Sequence, residues 1–227
     1  MTYNEFKYLD AEDIEDIEDL LAHVEASFDI RFVDNELIHI KNFRELFDHI
    51  INKIQLENSV DCTSQQAFYK LRNAISSTLL VDSRTITKDT ALADILPRSD
   101  RRSKIEKIEE HLGFKLNLLR PPDWVIVIFV IIFIASPIVG IFFNWKIGLS
   151  GFCFSIFGMK IANGIGNELD LQTVGQVVEK MTRKNYIKSR RNPKTFNREE
   201  IEKVLIDWFS DVLGINKSQL TKGAKFI

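Results

Sequence analysis

The sequence has few of the residue types from which metal sites, disulfides and catalytic centres are built. Its two cysteines are Cys62, in a polar stretch, and Cys153, in an apolar stretch, so neither a disulfide framework nor a cysteine metal site is predicted. The four histidines are scattered and have no second ligand at metal-binding spacing. Glycine-rich phosphate loops, nucleophile elbows and zinc-protease signatures are also missing. We therefore expect no metal, no catalytic residue and a protein that is not an enzyme.

The N-terminal region lacks an apolar signal segment and is acidic instead. Seven acidic residues and no base lie between Asp10 and Asp19, whereas residues 183–194 are strongly basic. The formal net charge of −2 is therefore the sum of opposite patches. Neither patch requires nucleic acid, and we expect no nucleic-acid partner. Any insertion into a membrane must be directed by an internal segment.

One long uncharged run indicates such a segment. It extends for twenty residues, from Trp124 to Phe143, which at ~1.5 Å per residue is enough to cross a hydrocarbon core of about 30 Å. After a short polar break at 144–146, a second apolar stretch continues to Gly166, and its one lysine, Lys160, can reach the interface from near its end. Small residues along both stretches permit close approach. The sequence therefore predicts a two-helix transmembrane hairpin over residues 124–166.

Lysine and arginine are concentrated on both sides of this hairpin, whereas its turn holds only Lys146. We therefore expect a multi-pass protein of the cell membrane with both soluble flanks cytoplasmic. The run that begins at Arg183 can attract anionic headgroups, each near-surface cation adding roughly 1 kcal/mol, or residues 185–195 can be a solvated basic linker. The flanking cations are Arg101, Arg102, Lys104, Lys107, Lys115 and Arg120 before the hairpin and Lys180, Arg183, Lys184 and Lys188 after it.

Three amphipathic segments recur in the soluble part of the chain, each with the apolar spacing of a helix. The third pair also carries matching capping residues, Asn42 with Glu45 and Thr173 with Gln176. The offsets of the second and third pairs differ by about the length of the hairpin, which indicates that the hairpin interrupts one copy. The matching segments are 68–93 with 202–227, at an offset of 134, 21–28 with 105–112, at 84, and 40–50 with 171–181, at 131.

The order of these segments predicts two helical bundles. One bundle is complete and consists of residues 63–120 plus 168–184, interrupted by the hairpin. The other consists of residues 1–54 and 196–227, complementary halves of a circularly permuted copy. Neither half can bury its apolar face alone, so we expect the halves to pack together within one chain or between the chains of a swapped homodimer. The predicted fold class is all-α: two helical bundles plus a two-helix transmembrane hairpin.

The repeat resembles the acyl carrier proteins, small bundles with a long first helix, a looping segment, a second helix and a short third helix. The resemblance covers most of the soluble chain. It rests on VLGINKSQLT at 212–221 and ITKDTALADIL at 86–96 for the end of helix one and its loop, on VEASFDI at 24–30 for the end of helix two, and on the spacing from Phe28 to Ile40, Phe43, Phe47 and Ile50.

Carriers of this family attach phosphopantetheine to the serine of an Asp-Ser-Leu triplet at the start of helix two. In the permuted copy the matching residues are Asp13, Ile14 and Glu15, so the attachment serine is replaced by isoleucine. In the other copy the region 97–103 is basic, and we expect Ser99 to cap the following helix. No cofactor is therefore expected, although Ser99 or Ser103 could carry phosphopantetheine if that copy is functional.

The acidic run predicts one charged face of a helix. The resemblance implies that such a face docks on a basic surface of a partner protein, and a solvated face is the other interpretation. We therefore predict a membrane-anchored, non-enzymatic docking or scaffold protein linked to lipid or acyl-chain metabolism. The alternatives are a membrane-tethered acyl carrier modified on Ser99 or Ser103, and a domain-swapped assembly protein. The predicted docking residues are Asp13, Glu15, Asp16, Glu18 and Asp19.

Overall fold

The computed structural model describes residues 11–40, 42–214, 216–218 and 220, with side chains from residue 17 onward. Helices dominate and the strands are two residues long, which confirms the all-α class in outline. The helices are α1 (Ala11–Phe28), α2 (Phe43–Lys53), α3 (Thr63–Leu79), α4 (Leu92–Ile95), α5 (Arg101–Leu112), α6 (Asp123–Phe142), α7 (Trp145–Ile165), α8 (Val174–Lys184), α9 (Tyr186–Ser189) and α10 (Arg198–Leu213). The strands are β1 (Glu57–Asn58), β2 (Leu119–Arg120), β3 (Glu168–Leu169) and β4 (Thr195–Phe196).

The chain divides into two compact units. Unit 1 comprises Met1–Lys70 and Val178–Ile227, and unit 2 comprises Leu71–Val177. The boundaries fall inside α3 and α8, whereas the sequence assigned each of these helices to one bundle. Within unit 1, β1 pairs with β4 in parallel.

Both predicted capping pairs are confirmed. The Asn42 side chain accepts a hydrogen bond from the Glu45 amide at 2.9 Å and begins α2. Thr173 and Gln176 bond reciprocally ahead of α8, with the Gln176 amide donating to Thr173 Oγ1 at 3.3 Å and the Thr173 amide donating to Gln176 Oε1 at 3.2 Å. Each pair satisfies amides that a helix N-terminus leaves without intrahelical partners.

The core of unit 1 lies among α1, α2 and α10, so segments from both predicted halves pack against one another. Phe209 of α10 is fully buried, and its ring lies 5.2 Å from that of Phe43 and 5.6 Å from that of Phe47. The rings of Phe28 and Trp208 are 5.7 Å apart. Aromatic side chains from all three helices therefore form one apolar cluster.

In the segment 185–195, predicted as a basic linker, the first half contributes to the unit 1 core, whereas residues 191–194 are exposed. The segment contains α9 and the start of β4, and Tyr186 and Ile187 are buried. The Arg190 side chain is fully buried and donates to Thr63 Oγ1 at 2.5 Å and to the Asp61 carbonyl at 3.3 Å. These bonds tie the segment to the first turn of α3, which explains why that turn belongs to unit 1.

The polar cluster around Arg190 also includes Glu200 of α10. Glu200 Oε1 accepts from the Thr63 amide at 3.0 Å, and its other oxygen lies 3.9 Å from the Arg190 guanidinium and accepts from the Tyr186 hydroxyl at 3.1 Å. Burial is the main reason why the pKa of Tyr186 is raised above its usual value. The Arg190 Nε and Nη1 groups have oxygen acceptors, which lowers the cost of burying this cation, whereas Nη2 is buried with no hydrogen-bond partner among the described residues.

In unit 2 the segment after α3 returns to the core, as the amphipathic pattern predicts. Ile86, Leu92 and Leu96 are buried, and the Leu92 amide donates to the Gln172 carbonyl at 2.8 Å. The predicted helix-two positions Ile105, Ile108 and Leu112 are buried along α5. The apolar residues of this unit therefore come from segments on both sides of the hairpin.

Local geometry recurs at the offset of 84 found in the sequence. Glu25 Oε1 of α1 accepts from the Phe32 amide at 2.5 Å, and Glu109 Oε1 of α5 accepts from the Leu116 amide at 2.7 Å. Each of these helices is followed by a residue in the left-handed region, with φ of 54° at Asp29 and 78° at Gly113. Equivalent carboxylates, Glu25 and Glu109, therefore fix equivalent turns after α1 and after α5.

Geometry also recurs at the offset of 134. Leu80 and Gly214 are both left-handed, with φ of 56° and 61°. Two residues later, Asp82 and Asn216 each accept a hydrogen bond from the amide of the second residue beyond, at 2.9 and 3.0 Å. Leu92 is buried, and its predicted match Phe226 lies outside the described residues. Buried pairs at this offset are Ala67 with Ile201, Leu71 with Leu205, Ala74 with Trp208, Ile75 with Phe209, and Ile86 with Leu220.

Replacing Phe209 with alanine should destabilise unit 1 by about 3–5 kcal/mol, because it removes a fully buried ring and leaves a cavity between α2 and α10. Hydrogen–deuterium exchange of the α10 amides in the full chain measures the change. The control is Val212→Ala, since Val212 is 39% exposed on the same helix and its truncation should cost less than about 0.5 kcal/mol. Equal protection in the two variants would contradict the aromatic core.

Candidate functional site at the base of the hairpin

Helices α6 and α7 pack closely along small residues. A Cβ added at Gly148 would lie 2.5 Å from Gly140 Cα, and one added at Gly151 would lie 2.6 Å from Ser136 Oγ. The predicted close-approach residues therefore meet, and the rings of Phe133 and Phe152 lie 4.8 Å apart beside them. The Asn144 side chain accepts from the Lys146 amide at 2.9 Å, so α7 begins at Trp145, inside the predicted polar break.

Of the described helices, α6 alone is long and apolar enough to cross a membrane, judged by length and composition. Its most apolar window has a mean hydropathy of 3.1 and is 6% buried within the structure. Helix α7 has 21 residues but contains Lys146, Lys160 and four glycines, which lower its hydropathy. The side chains that α6 leaves exposed include Val127, Ile131, Ile134, Ile138 and Ile141.

The two ends of the hairpin meet at a short β clasp. Strand β2 precedes α6, strand β3 follows α7, and the two pair antiparallel with Arg120 opposite Glu168. Gly166 lies against the same backbone, since a Cβ there would be 2.4 Å from the Arg120 carbonyl carbon and 2.5 Å from Pro121 N. Arg120 also forms an ion pair with Asp123, which raises the pKa of the arginine further above its usual value.

Arginines at the start of α5 bind the carbonyl groups at the end of α7. Arg102 donates to the carbonyls of Gly164, at 2.8 Å, and Gly166, at 2.6 Å. The buried Arg101 donates to the carbonyls of Leu96, at 2.9 Å, and Asn167, at 2.6 Å. These bonds supply partners for carbonyls at and beyond a helix C-terminus, where cations are also favoured by the helix dipole.

A cavity of about 370 Å³ opens beside these arginines. Ser99 and Ser103 lie in its wall and are both exposed. The prediction that Ser99 caps α5 is wrong, because the helix begins one residue later with Asp100 at the cap position, and the Asp100 carboxylate pairs with Lys104 at 3.2 Å. The lining residues are Arg98, Ser99, Asp100, Arg102, Ser103, Glu106, Ile165 and Asn167.

The predicted docking residues lie elsewhere, on α1 of unit 1. Glu18 and Asp19 are exposed, as a docking face requires. The side chains of Asp13, Glu15 and Asp16 lie outside the described residues, as does that of Ile14 at the attachment position. The structure therefore places two of the five predicted docking side chains on the surface.

Arg101 and Arg102 were predicted only as cations that flank the hairpin, and their contacts with the end of α7 were not predicted. Two adjacent arginines at the start of a helix were the available signal, but their partners are backbone carbonyls more than sixty residues away. In the part of the chain that the structure describes, no group of three potential metal ligands occurs. Comparisons of this chain with known protein families, with characterised proteins and with solved structures find no match.

Replacing Gly166 with alanine should destabilise the clasp by roughly 1–3 kcal/mol, because the new methyl group would overlap the backbone of Arg120 and Pro121. Amides of β2 and β3 should then exchange hydrogen faster in the full chain. The matched control is Gly164→Ala, since a Cβ at Gly164 meets no atom within 4 Å and alanine favours a helix. The close contact at Gly166 is refuted if both variants exchange like the unchanged chain.

Proposed function

We propose that this chain is a membrane-anchored, non-enzymatic docking or scaffold protein, built of two acyl-carrier-like bundles with a transmembrane hairpin inserted into one of them. The observation that carries the proposal is the exposed apolar surface of α6. Its side chains include Val127, Ile131 and Ile134, which are 53%, 59% and 61% exposed. Contiguous apolar surface of this extent marks a membrane or protein contact, and a twenty-residue helix has the length for a membrane span.

The packing of the hairpin supports insertion as a pair. Helix α7 turns Gly148, Gly151 and Gly158 toward α6, while Phe154, Phe157 and Ile161 are exposed at its surface. Lys160 is exposed five residues before the helix ends, so its ammonium can extend to the interface. With Arg101 and Arg102 at the same end, the positive charge favours a cytoplasmic base and cytoplasmic flanks.

The recurring geometry supports two related bundles. Equivalent carboxylates, Glu25 and Glu109, fix equivalent turns, and equivalent capping residues begin α2 and α8. In this proposal the permuted copy is a docking module rather than a carrier, because isoleucine stands at its attachment position. Exposed Glu18 and Asp19 belong to the face that would meet a basic surface of a partner in lipid or acyl-chain metabolism.

The two native cysteines test insertion and orientation without disturbing the fold, since Cys62 and Cys153 are both exposed in the protein. With a membrane-impermeant maleimide, Cys62 should react only after cells are permeabilised, and Cys153 only after the membrane is dissolved in denaturing detergent. A Phe143→Cys variant at the exposed hairpin tip should react in intact cells. Cys153 reacting as fast as Cys62 in permeabilised cells would overturn the hairpin, and an unreactive tip would overturn the two-pass topology.

A second candidate function is a membrane-tethered acyl carrier. It is favoured by the position of Ser99 and Ser103, whose side chains are exposed around the start of α5, the helix that matches helix two of the carriers. Against it, Arg98 and Arg102 line the same cavity as these serines. The Arg98 guanidinium is bonded to Glu168 at 2.6 Å. A basic site is unsuited to an enzyme that docks on acidic carriers.

Co-expression with a broad-specificity phosphopantetheinyl transferase distinguishes the two candidates. The intact mass of the purified chain should be unchanged, because the basic start of α5 does not offer the acidic docking surface of a carrier. Cys153 and Cys62 are alkylated first so that thiol adducts are not mistaken for the cofactor. A mass increase of one phosphopantetheine that disappears in a Ser99→Ala or a Ser103→Ala variant would establish a true carrier.

A further inference from the structure

We infer that the cavity at the base of the hairpin binds a phospholipid headgroup that carries both a phosphate and a primary ammonium, as phosphatidylethanolamine does. This inference rests on the proposed insertion of the hairpin and adds a specific lipid site to it. The cavity lies within unit 2, has about 370 Å³ and is widely open to solvent, so a headgroup can enter it from the side.

The depth of the cavity along the hairpin fits a headgroup. Ile165 is the last residue of α7, is 72% exposed and lines the cavity. It follows Lys160 by five residues, a rise of about 7.5 Å at ~1.5 Å per residue. With Lys160 at the edge of the hydrocarbon, Ile165 lies within the headgroup layer, which is roughly 5–8 Å thick in each leaflet. An acyl chain can then follow the exposed side of α7 while the headgroup enters the cavity.

The charges in the cavity wall are of both signs. Two of them are compensated locally, since Arg98 pairs with Glu168 and Asp100 pairs with Lys104. The remaining two are Arg102 and Glu106. Within the described residues neither forms an ion pair within 4 Å: the Arg102 guanidinium is turned toward the carbonyls at the end of α7, and Glu106 is attracted to Lys115 at longer range.

Arg102 and Glu106 are four residues apart on α5, so they lie one turn apart on one face. A guanidinium has five N–H donors, and the two carbonyl bonds of Arg102 leave donors for a phosphate. The Glu106 carboxylate can accept from an ammonium group two carbons further along the headgroup. Ser99 and Ser103 add exposed hydroxyl groups that can donate to phosphate oxygens.

This pair of charges predicts which lipids are bound less well. Phosphatidylglycerol offers a phosphate but no cation, so Glu106 would be left unpaired beside an anion. Phosphatidylcholine has a cation, but its quaternary ammonium has no N–H to donate to the carboxylate. A primary ammonium forms a charge-assisted hydrogen bond, the stronger class of such bonds in proteins.

The test uses the full chain reconstituted in bilayers that contain equal parts of phosphatidylethanolamine, phosphatidylglycerol and phosphatidylcholine. After release into mild detergent, native mass spectrometry identifies the lipid that remains bound. We expect phosphatidylethanolamine to be retained about tenfold over each of the others, the ratio that one charge-assisted hydrogen bond supports.

The matched variants are Glu106→Gln and Glu110→Gln, which remove one exposed carboxylate each from neighbouring turns of α5, only the first of which lines the cavity. Glu106→Gln should abolish the preference for phosphatidylethanolamine over phosphatidylcholine, and Glu110→Gln should leave it intact. Cys153 protection from the impermeant maleimide is measured on the same samples to confirm insertion.

Retention of the three lipids in equal amounts, a preference for phosphatidylglycerol, or an unchanged preference in Glu106→Gln would each overturn the headgroup site while leaving the anchor in place. A chain whose Cys153 is unprotected in every bilayer would overturn the anchor itself and the lipid site with it. The two failures are therefore distinguishable in one experiment.

Discussion

Unit 2 depends on how the last carbonyl groups of α7, which have no partner within the helix, are satisfied. A helix leaves its last carbonyls without intrahelical partners, so donors from outside the helix are needed to satisfy them. Arg101 and Arg102 supply the donors, and Arg101 simultaneously binds the Leu96 carbonyl at the end of α4. The start of α5 therefore joins the bundle to the hairpin through charge-assisted hydrogen bonds, which are stronger than hydrogen bonds between neutral groups.

Unit 1 contains a comparable set of hydrogen bonds around a buried arginine. Its buried arginine, Arg190, bonds the loop before α3 and the Thr63 hydroxyl, and Glu200 of α10 completes the cluster. Removing one member of such a cluster leaves the others buried and unpaired, which costs more than the net stabilisation the cluster provides. The cluster therefore specifies how 185–195 packs, and it also explains why a strongly basic stretch is not exposed along its whole length.

Much of the helical layout was predictable, because it depends on local signals. Apolar spacing located the helices, and the capping residues Asn42 and Thr173 fixed where α2 and α8 begin. The contacts of the candidate site were not predictable from the sequence. Arg102 binds backbone carbonyls, and because every residue has one, the residue types do not indicate which carbonyls an arginine will bind. The burial of Arg190 was hidden for a related reason: a fully buried arginine is rare, and charge alone predicts exposure.

In the internal repeat, the hydrogen bonds and turns recur, but the serine to which a carrier attaches its prosthetic group does not. Glu25 and Glu109 make the same hydrogen bond, and Asp29 and Gly113 adopt the same left-handed conformation, although aspartate is less suited to it than glycine. Ile14, at the proposed attachment position, has no hydroxyl at all. The residues that shape the turns after α1 and α5 thus recur, whereas a serine at the position that the resemblance assigns to the prosthetic group is absent from the first copy. That contrast fits the docking role proposed for these bundles, because docking requires the shape of the fold and not an attached thiol.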